Sequence, residues 1–207
     1  MKRRSFLNCV LLAGIAPYAR GAQPAKLRTA LIGSGWWGKN ILKEALASDR
    51  CTPVALADVD SSALEVAAEQ VQDLSGNKPK LYRDYRELLA REKPDIAIIA
   101  TPDHWHALNT IEALKAGAHV FVEKPTGHTV NESRAMLKAA RESGRVVQVG
   151  LHRRIGPHHV SGMKFLKSGA VGDVGMVRLF VHGGGGGPEK AALARDTPFA
   201  PIAGGNG

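Results

Sequence analysis

A glycine-rich turn near the start of the chain has the spacing of a phosphate-binding loop. It stands between an apolar strand pattern and a helical pattern, in the order Leu27–Ile32, Gly33-Ser34-Gly35-Trp36-Trp37-Gly38 and Lys39–Ala47. In such a turn Gly33 permits a tight bend, Gly35 lets a pyrophosphate approach the backbone, and Gly38 lets the helix pack on the strand. Free N–H groups and the positive end of the helix dipole then face the phosphates. The spacing predicts a dinucleotide site in which the whole run 33–38 takes part.

An acidic residue follows the next predicted strand at the distance expected for such a site. Pro53–Ala57 reads as that strand, and Asp58 comes directly after it. A carboxylate there accepts hydrogen bonds from the adenosine ribose hydroxyls and repels a 2′-phosphate, so NAD is favoured over NADP. The alternative is that Asp58 caps a helix over Ser61–Gln72, although Asp60 or Ser61 could provide that cap.

The two tryptophans inside the glycine turn allow two interpretations. Trp36 or Trp37 covers the pyrophosphate while the other fills the groove beneath the sheet, or both are ordinary packing residues.

Strand and helix patterns alternate through the rest of the first part of the chain. After Asp58 the expected helices are Ser61–Gln72, Tyr82–Arg91, Thr110–Ala116 and Asn131–Ser143. The expected strands are Ile96–Ala100, His119–Val122 and Val146–Val149. Strict alternation is typical of an α/β fold with a doubly wound parallel sheet. We therefore predict a Rossmann domain over residues 27–150.

Polar residues follow three of the predicted strands, in the loops where ligands bind to such sheets. The loops are Ala100-Thr101-Pro102-Asp103-His104-Trp105-His106, Glu123-Lys124-Pro125 and Gln148-Val149-Gly150-Leu151-His152-Arg153-Arg154. Together with the glycine turn, these loops resemble the Gfo/Idh/MocA oxidoreductase family, which includes glucose-fructose oxidoreductase and inositol dehydrogenase. The resemblance covers about residues 27 to 181.

This resemblance implies roles for individual residues. Thr101, Pro102 and His106 would lie along the dinucleotide, and Glu123 and Lys124 would flank its nicotinamide end. Lys124 matches the family's catalytic lysine, which contacts the sugar hydroxyl being oxidised and assists its proton transfer. For Lys124 the alternative is a surface ion pair with Glu123, and for His106 it is a role in ordering the loop.

The histidine pairs do not have the spacing of a metal site. His104 and His106 are two positions apart, so on a helix their side chains diverge, and the adjacent His158 and His159 diverge as well. We expect no metal site.

The first residues have the layout of an export signal. The basic start Lys2-Arg3-Arg4 precedes an apolar stretch over Phe6–Ala19 and small residues, which resembles a twin-arginine signal over residues 1–21 cut after Gly21. About 14 apolar residues are too few to span a bilayer, so no membrane anchor is expected. The alternative is an uncleaved amphipathic start. We expect a periplasmic or otherwise exported protein, carried folded by the twin-arginine machinery, with a linker at 22–26.

Charge and cysteine content restrict the remaining functions. Four positive charges of the formal net charge of +9 lie in the predicted leader, and the others are scattered without interleaved aromatic residues, so no nucleic-acid partner is expected. Cys9 lies in the leader and leaves Cys51 alone in a mature chain, which excludes an intrachain disulfide there.

Residues 151–207 are expected to begin an incomplete α+β second domain. Pro157–Ser168 reads as its first helix and Val174–Val181 as its first strand, ahead of the glycine run 183–187 and a glycine-rich tail. In the family that domain covers the nicotinamide and supplies further catalytic residues. Turnover is therefore not expected from residues 1–207 alone. A homo-oligomer is expected only with the full second domain.

Three functions fit these patterns. The first is hydride transfer between tightly bound NAD(P) and a sugar or polyol hydroxyl. The second is an NAD-dependent glycosidase that oxidises its substrate transiently, and the third is a truncated, non-catalytic dinucleotide-binding module.

Overall fold

A six-stranded, all-parallel sheet forms the centre of the computed structural model, which describes residues 25–180. The strands are β1 Leu27–Ile32, β2 Cys51–Ala57, β3 Lys80–Tyr82, β4 Ile96–Ile99, β5 His119–Glu123 and β6 Val147–Gly150, in the order β3-β2-β1-β4-β5-β6. Every neighbouring pair is parallel. The predicted doubly wound fold is confirmed.

Helices connect the strands across both faces of the sheet. They are α1 Trp36–Ala47, α2 Ser61–Ser75, α3 Tyr85–Glu92, α4 His106–Lys115 after a 3-10 turn at Asp103–Trp105, α5 Val130–Ser143 and the short α6 His152–Ile155. Side chains at the N-caps fix several of their starts: Asp60 accepts hydrogen bonds at α2, and Thr129 forms a reciprocal capping box with Glu132 at α5.

Successive residues of each strand point to opposite faces, so the sheet has two apolar cores. On one face Ile32 and Ile99 pack with residues of α3 and α4. On the other face Leu31 and Ile98 pack with apolar residues of α1 and α2, such as Leu42. Because both faces are covered, the buried stretches 30–32 and 97–99 of the central strands are apolar.

Several predicted boundaries were wrong, among them the end of α2, which continues to Ser75 beyond the predicted Gln72. Helix α1 begins at Trp36 instead of Lys39, and α4 begins at His106 instead of Thr110. Tyr82 was assigned to a helix but ends the edge strand β3, and the following helix starts only after its cap Asp84. A strand of 3 residues has too few positions to show the alternation of polar and apolar residues.

The compact unit containing the sheet ends at Ile155, and a second unit begins at Gly156. In the described part of that second unit, α7 spans Pro157–Lys167 and agrees with the predicted helix. The predicted strand Val174–Val181 is not seen: residues 174–180 are exposed and have no strand assignment. A strand needs a neighbour for its hydrogen bonds, and no segment within 25–180 pairs with this one.

Several predictions fall on residues that the structure does not describe. The leader at 1–21 and the glycine run at 183–187 both lie outside residues 25–180. Within the described range, no helix is both long enough and apolar enough to cross a membrane.

The edge strand β3 is held in place by a buried carboxylate. Glu92 at the end of α3 is 7% exposed, and its Oε1 accepts hydrogen bonds from Tyr82 Oη at 2.6 Å and Lys80 Nζ at 2.8 Å. Arg28 of β1 lies 3.6 Å from Oε2. The hydrogen bonds from Lys80 and Tyr82 lower the pKa of Glu92 below its ordinary value of 4.5. The same bond to Glu92, reinforced by burial, raises the pKa of the Tyr82 phenol.

We expect Glu92→Gln to lower the free energy of unfolding at pH 7 by about 1 to 3 kcal/mol, because it weakens charge-assisted hydrogen bonds to a buried group. A carboxyl with a lowered folded pKa stabilises fully above its unfolded pKa and loses that stabilisation as the pH falls through the folded value. The difference between wild type and variant in urea denaturation should therefore shrink below the ordinary carboxyl pKa of 4.5. The control Glu87→Gln removes an exposed ion pair with Arg91 and should have little effect. An unchanged difference at low pH would contradict the role of the Glu92 charge.

Candidate functional site

The carboxyl ends of β1 and β4 meet at the centre of the sheet, where the strand order reverses. Crevices at such reversal points bind ligands in doubly wound folds. A cavity of about 640 Å³ opens there, which we call the dinucleotide cavity. Of the predicted site residues, those that line it are Gly33, Gly35, Trp37, Asp58, Thr101 and Pro102.

The three glycines of the turn have different structural roles. The roles follow from the atoms that a Cβ at each position would meet. At Gly33, whose φ is +95°, a Cβ would lie 2.6 Å from the Ala100 backbone. At Gly38 it would overlap the carbonyl oxygen of Gly33. Only at Gly35 does a Cβ meet nothing within 4 Å. Gly33 and Gly38 are therefore required by the fold, whereas Gly35 faces open space.

The start of α1 is available to a ligand. Gly35 is its N-cap, and no side chain of the described protein caps this end of the helix. Uncapped N–H groups at a helix start bind phosphate well, because they donate hydrogen bonds along the helix dipole. The open face at Gly35 and these N–H groups fit the pyrophosphate of a dinucleotide.

Asp58 is held in a fixed orientation at the end of β2. Its Oδ2 accepts a hydrogen bond from the Ser34 N–H at 2.6 Å, and its Oδ1 accepts one from the Asp60 N–H at 3.0 Å. The cap of α2 is Asp60, whose carboxylate accepts from the N–H groups of Ser62 and Ala63. Asp58 is thus not the helix cap, and it lines the dinucleotide cavity.

A second cavity, of about 490 Å³, contains Lys124 and is called here the Lys124 cavity. It is lined by Trp36, Trp37, Lys124, Gly150, Leu151, His152, Arg153 and Arg154. Trp37 lines both cavities, so the two adjoin. Its ring packs against Trp36 and against His152, each with centroids 5.3 Å apart. Trp36 is 74% exposed, so it does not fill a groove beneath the sheet.

The Lys124 cavity has a positive charge. Lys124, Arg153 and Arg154 all line it, and none forms a salt bridge with an acidic residue of the described chain. The alternative of a Lys124–Glu123 surface ion pair is not seen. Glu123 is 5% exposed, and its Oε2 accepts from the backbone N–H of Lys124 at 3.1 Å.

Four predicted site residues lie beneath the cavities instead of lining them. Glu123 and Gly38 are buried, and Ser34 is fully buried with its hydroxyl unpaired among the described residues. His106 is 1% exposed, with Nδ1 2.6 Å from the Pro125 carbonyl oxygen and Nε2 2.8 Å from that of Thr101. The geometry of His106 is that of a loop-ordering residue.

The sequence did not reveal the outer wall of the dinucleotide cavity. Beside Asp58 the wall includes Arg83 and Tyr85, which follow β3, and further along it includes Asn109 of α4. Asn109 Oδ1 accepts a hydrogen bond from Thr101 Oγ1 at 2.9 Å. Arg83 and Tyr85 were missed because the strand β3 was missed, and Asn109 was missed because its helix was predicted to begin only at Thr110.

No three histidine, cysteine, aspartate or glutamate side chains within residues 25–180 are grouped so that they could hold a metal ion. Cys51 is a free, partly buried cysteine in the same range.

Comparison with known proteins gives a consistent result. The Gfo/Idh/MocA family model, described as an oxidoreductase family with an NAD-binding Rossmann fold, matches residues 27–151. D-glucoside 3-dehydrogenase of Escherichia coli (strain K12) is 29% identical over 153 residues, which are 72% of this chain and 41% of that protein. A glycosyl hydrolase family 109 protein of Saccharopolyspora erythraea is 33% identical over 123 residues, 58% of this chain and 27% of the relative.

Similar structures are also known. The crystal structure of myo-inositol 2-dehydrogenase from Lactobacillus plantarum has a TM-score of 0.64 at 30% identity, over 72% of this chain and 43% of that one. The chain thus spans less than half the length of the relatives it matches.

Proposed function

Because the chain belongs to the Gfo/Idh/MocA oxidoreductase family, we propose that it is the dinucleotide-binding part of an enzyme that transfers hydride between NAD and a sugar or polyol hydroxyl. The observation that carries this proposal is the adjoining position of the dinucleotide cavity and the Lys124 cavity, which share Trp37. D-glucoside 3-dehydrogenase and myo-inositol 2-dehydrogenase, both similar to this chain, support a sugar or polyol substrate.

NAD, when bound, supplies the hydride acceptor. The residues at the carboxyl edge fit its parts: the uncapped start of α1 would hold the pyrophosphate, Gly35 leaves room for it, and Asp58 would accept hydrogen bonds from the ribose hydroxyls. Thr101 and Pro102 line the same cavity. NAD binding of the family agrees with this arrangement.

Lys124 is the catalytic residue of the proposal. Removal of hydride from a carbinol carbon requires the hydroxyl proton to leave as well, and a positioned amine both stabilises the developing alkoxide and moves the proton. Lys124 lines its cavity and forms no salt bridge with an acidic residue of the described chain, so its amine is available to the substrate hydroxyl.

The preference for NAD over NADP rests on the charge of Asp58. We expect Asp58→Ser to lower the ratio of the NADP to the NAD dissociation constant about tenfold or more, because it removes the ribose acceptor and the repulsion of a 2′-phosphate together. Fluorescence titration of both reduced cofactors measures this ratio. The control Asp73→Ser changes the same charge on an exposed position of α2. An equal loss of affinity for both cofactors would contradict the role of Asp58 in selectivity.

Export is part of the proposal. A twin-arginine leader at residues 1–21 would carry the folded protein to the periplasm with its cofactor bound, since free NAD is scarce there. A cofactor retained in this way is reduced and reoxidised in one site, which favours paired oxidation and reduction of two sugars.

A glycosidase is the second candidate, favoured by the similarity to a glycosyl hydrolase family 109 protein. In that reaction the same cofactor and Lys124 would oxidise a sugar hydroxyl transiently, and the aglycone would be released without net oxidation. Incubation with a nitrophenyl glycoside separates the two, because the oxidoreductase accumulates oxidised sugar whereas the glycosidase releases nitrophenol.

Native mass spectrometry of the protein from the exported fraction tests the proposal directly. We expect a chain that lacks about 21 residues and carries one NAD or NADH. A bare chain that takes up no NAD on titration would overturn the proposal, and bound NAD without turnover of any sugar would leave a non-catalytic binding module.

A further inference from the structure

One buried imidazole joins the two loops that contain the proposed cofactor and catalytic residues. His106 is the first residue of α4 and is 1% exposed. Its Nδ1 lies 2.6 Å from the carbonyl oxygen of Pro125 in the loop after β5, and its Nε2 lies 2.8 Å from that of Thr101 in the loop after β4. The ring lines neither cavity, so its contacts are with these loops.

The backbone is fixed on both sides of Lys124. Its own N–H donates to Glu123 Oε2 at 3.1 Å, and the carbonyl of the next residue, Pro125, is bonded to His106. The Lys124 side chain forms no salt bridge within the described chain. These two contacts therefore hold the backbone from which the Lys124 side chain extends.

Helix α4 also holds the loop after β4, which contains Thr101. Asn109 stands three positions after His106, which places both on one face of α4. Asn109 Oδ1 accepts from Thr101 Oγ1 at 2.9 Å, while His106 bonds the Thr101 carbonyl. Helix α4 thus holds Thr101, which lines the dinucleotide cavity, at two points and the turn after Lys124 at a third.

We propose that His106 is a positioning residue that sets the Lys124 amine relative to the dinucleotide loop, through its Nδ1 contact with Pro125. This inference rests on the proposed oxidoreductase function. A misplacement of about 1 Å at a reacting group lowers turnover roughly a hundredfold, so a contact beneath the cavities is sufficient to control the rate. The Nε2 contact with Thr101 fixes the other loop.

Two isosteric variants separate the two ring nitrogens. In His106→Asn the side-chain amide stands near the position of Nδ1, so it keeps a donor for Pro125. In His106→Gln the amide stands near the position of Nε2, so it keeps a donor for Thr101 only. Each variant keeps a donor for one of the two carbonyl oxygens and leaves the other without one, so the two should unfold at similar urea concentrations.

The expected result is an unequal effect on turnover in the full-length protein. We expect His106→Gln to lower kcat for glucoside oxidation about tenfold to a hundredfold with KM little changed, and His106→Asn to lower kcat by a clearly smaller factor. Equal losses in both variants, or a larger loss in His106→Asn, would overturn the proposal, because a purely structural role does not distinguish the two nitrogens.

A second measurement reports on the surroundings of the Lys124 amine and does not depend on catalysis. Acetylation of Lys124 by acetic anhydride, measured by peptide mass spectrometry relative to Lys115 on α4, should change in rate in His106→Gln and stay at the wild-type rate in His106→Asn. The opposite or an equal pattern overturns the inference. If the wild-type protein binds no NAD, the proposed function fails, yet this labelling still decides whether His106 positions Lys124.

Discussion

Lys124→Met should lower the rate of sugar oxidation by about a hundredfold to ten-thousandfold while the NADH dissociation constant stays unchanged. The range is the usual contribution of a positioned acid–base group. Methionine keeps the length and apolar stem of lysine but has no proton to transfer and no charge to stabilise an alkoxide. The unchanged NADH affinity follows because the dinucleotide cavity is lined by other residues.

The measurement is the initial rate of NADH formation, with NADH affinity from fluorescence titration of the same samples. The control Lys138→Met removes an exposed lysine of α5 whose nearest acidic oxygen, on Glu142, is 3.8 Å away. A Lys124 variant with wild-type turnover would contradict the catalytic assignment. Parallel loss of turnover and NADH binding would instead make Lys124 a cofactor ligand.

Two glycines of the turn should respond in opposite ways to substitution by alanine. Gly38→Ala places a methyl group against the carbonyl of Gly33, so we expect about 3 kcal/mol of lost stability. Gly35→Ala meets no atom within 4 Å, and Gly35 has a φ of −64°, which any residue adopts. It should cost less than about 1 kcal/mol of stability, the usual effect at an N-cap.

The effect of Gly35→Ala should appear in NAD binding. The methyl group stands where the backbone opens toward the cavity, so the dissociation constant for NADH should rise about tenfold or more, since a pyrophosphate can no longer approach the N–H groups closely. Urea denaturation and NADH titration of both variants measure the two effects. Each glycine serves as the control for the other. Unchanged NADH affinity in a folded Gly35→Ala protein would place the pyrophosphate elsewhere.

The central part of the fold could be predicted from the sequence because its signals are local. An apolar strand, the glycine turn and a helix follow one another within about 20 residues, and each step depends on residues close in the chain. The five longer strands are apolar enough to be recognised as buried parallel strands. The spacing of Asp58 from the glycine turn likewise placed it at the end of β2, where it lines the cavity.

Other features depend on residues far apart in the chain. The short β3 is a strand because it pairs with β2 and because Glu92 holds Lys80 and Tyr82, and neither cause is visible in a 3-residue segment. The predicted strand Val174–Val181 failed for the converse reason: its sequence pattern is that of a strand, but residues 174–180 have no neighbouring strand within the described chain.

The candidate site also has features that the sequence determined and features that only the tertiary structure decided. The sequence determined which residue types stand at the ends of the strands, because turns, caps and strand patterns are set by local chemistry. Only the tertiary structure decided that Lys124 shares a cavity with Trp36 and Arg153, and that His106 lies beneath the cavities, joined to Thr101 and Pro125. Burial and hydrogen-bond partners are set by the packing of segments distant in sequence, which residue spacing alone does not specify.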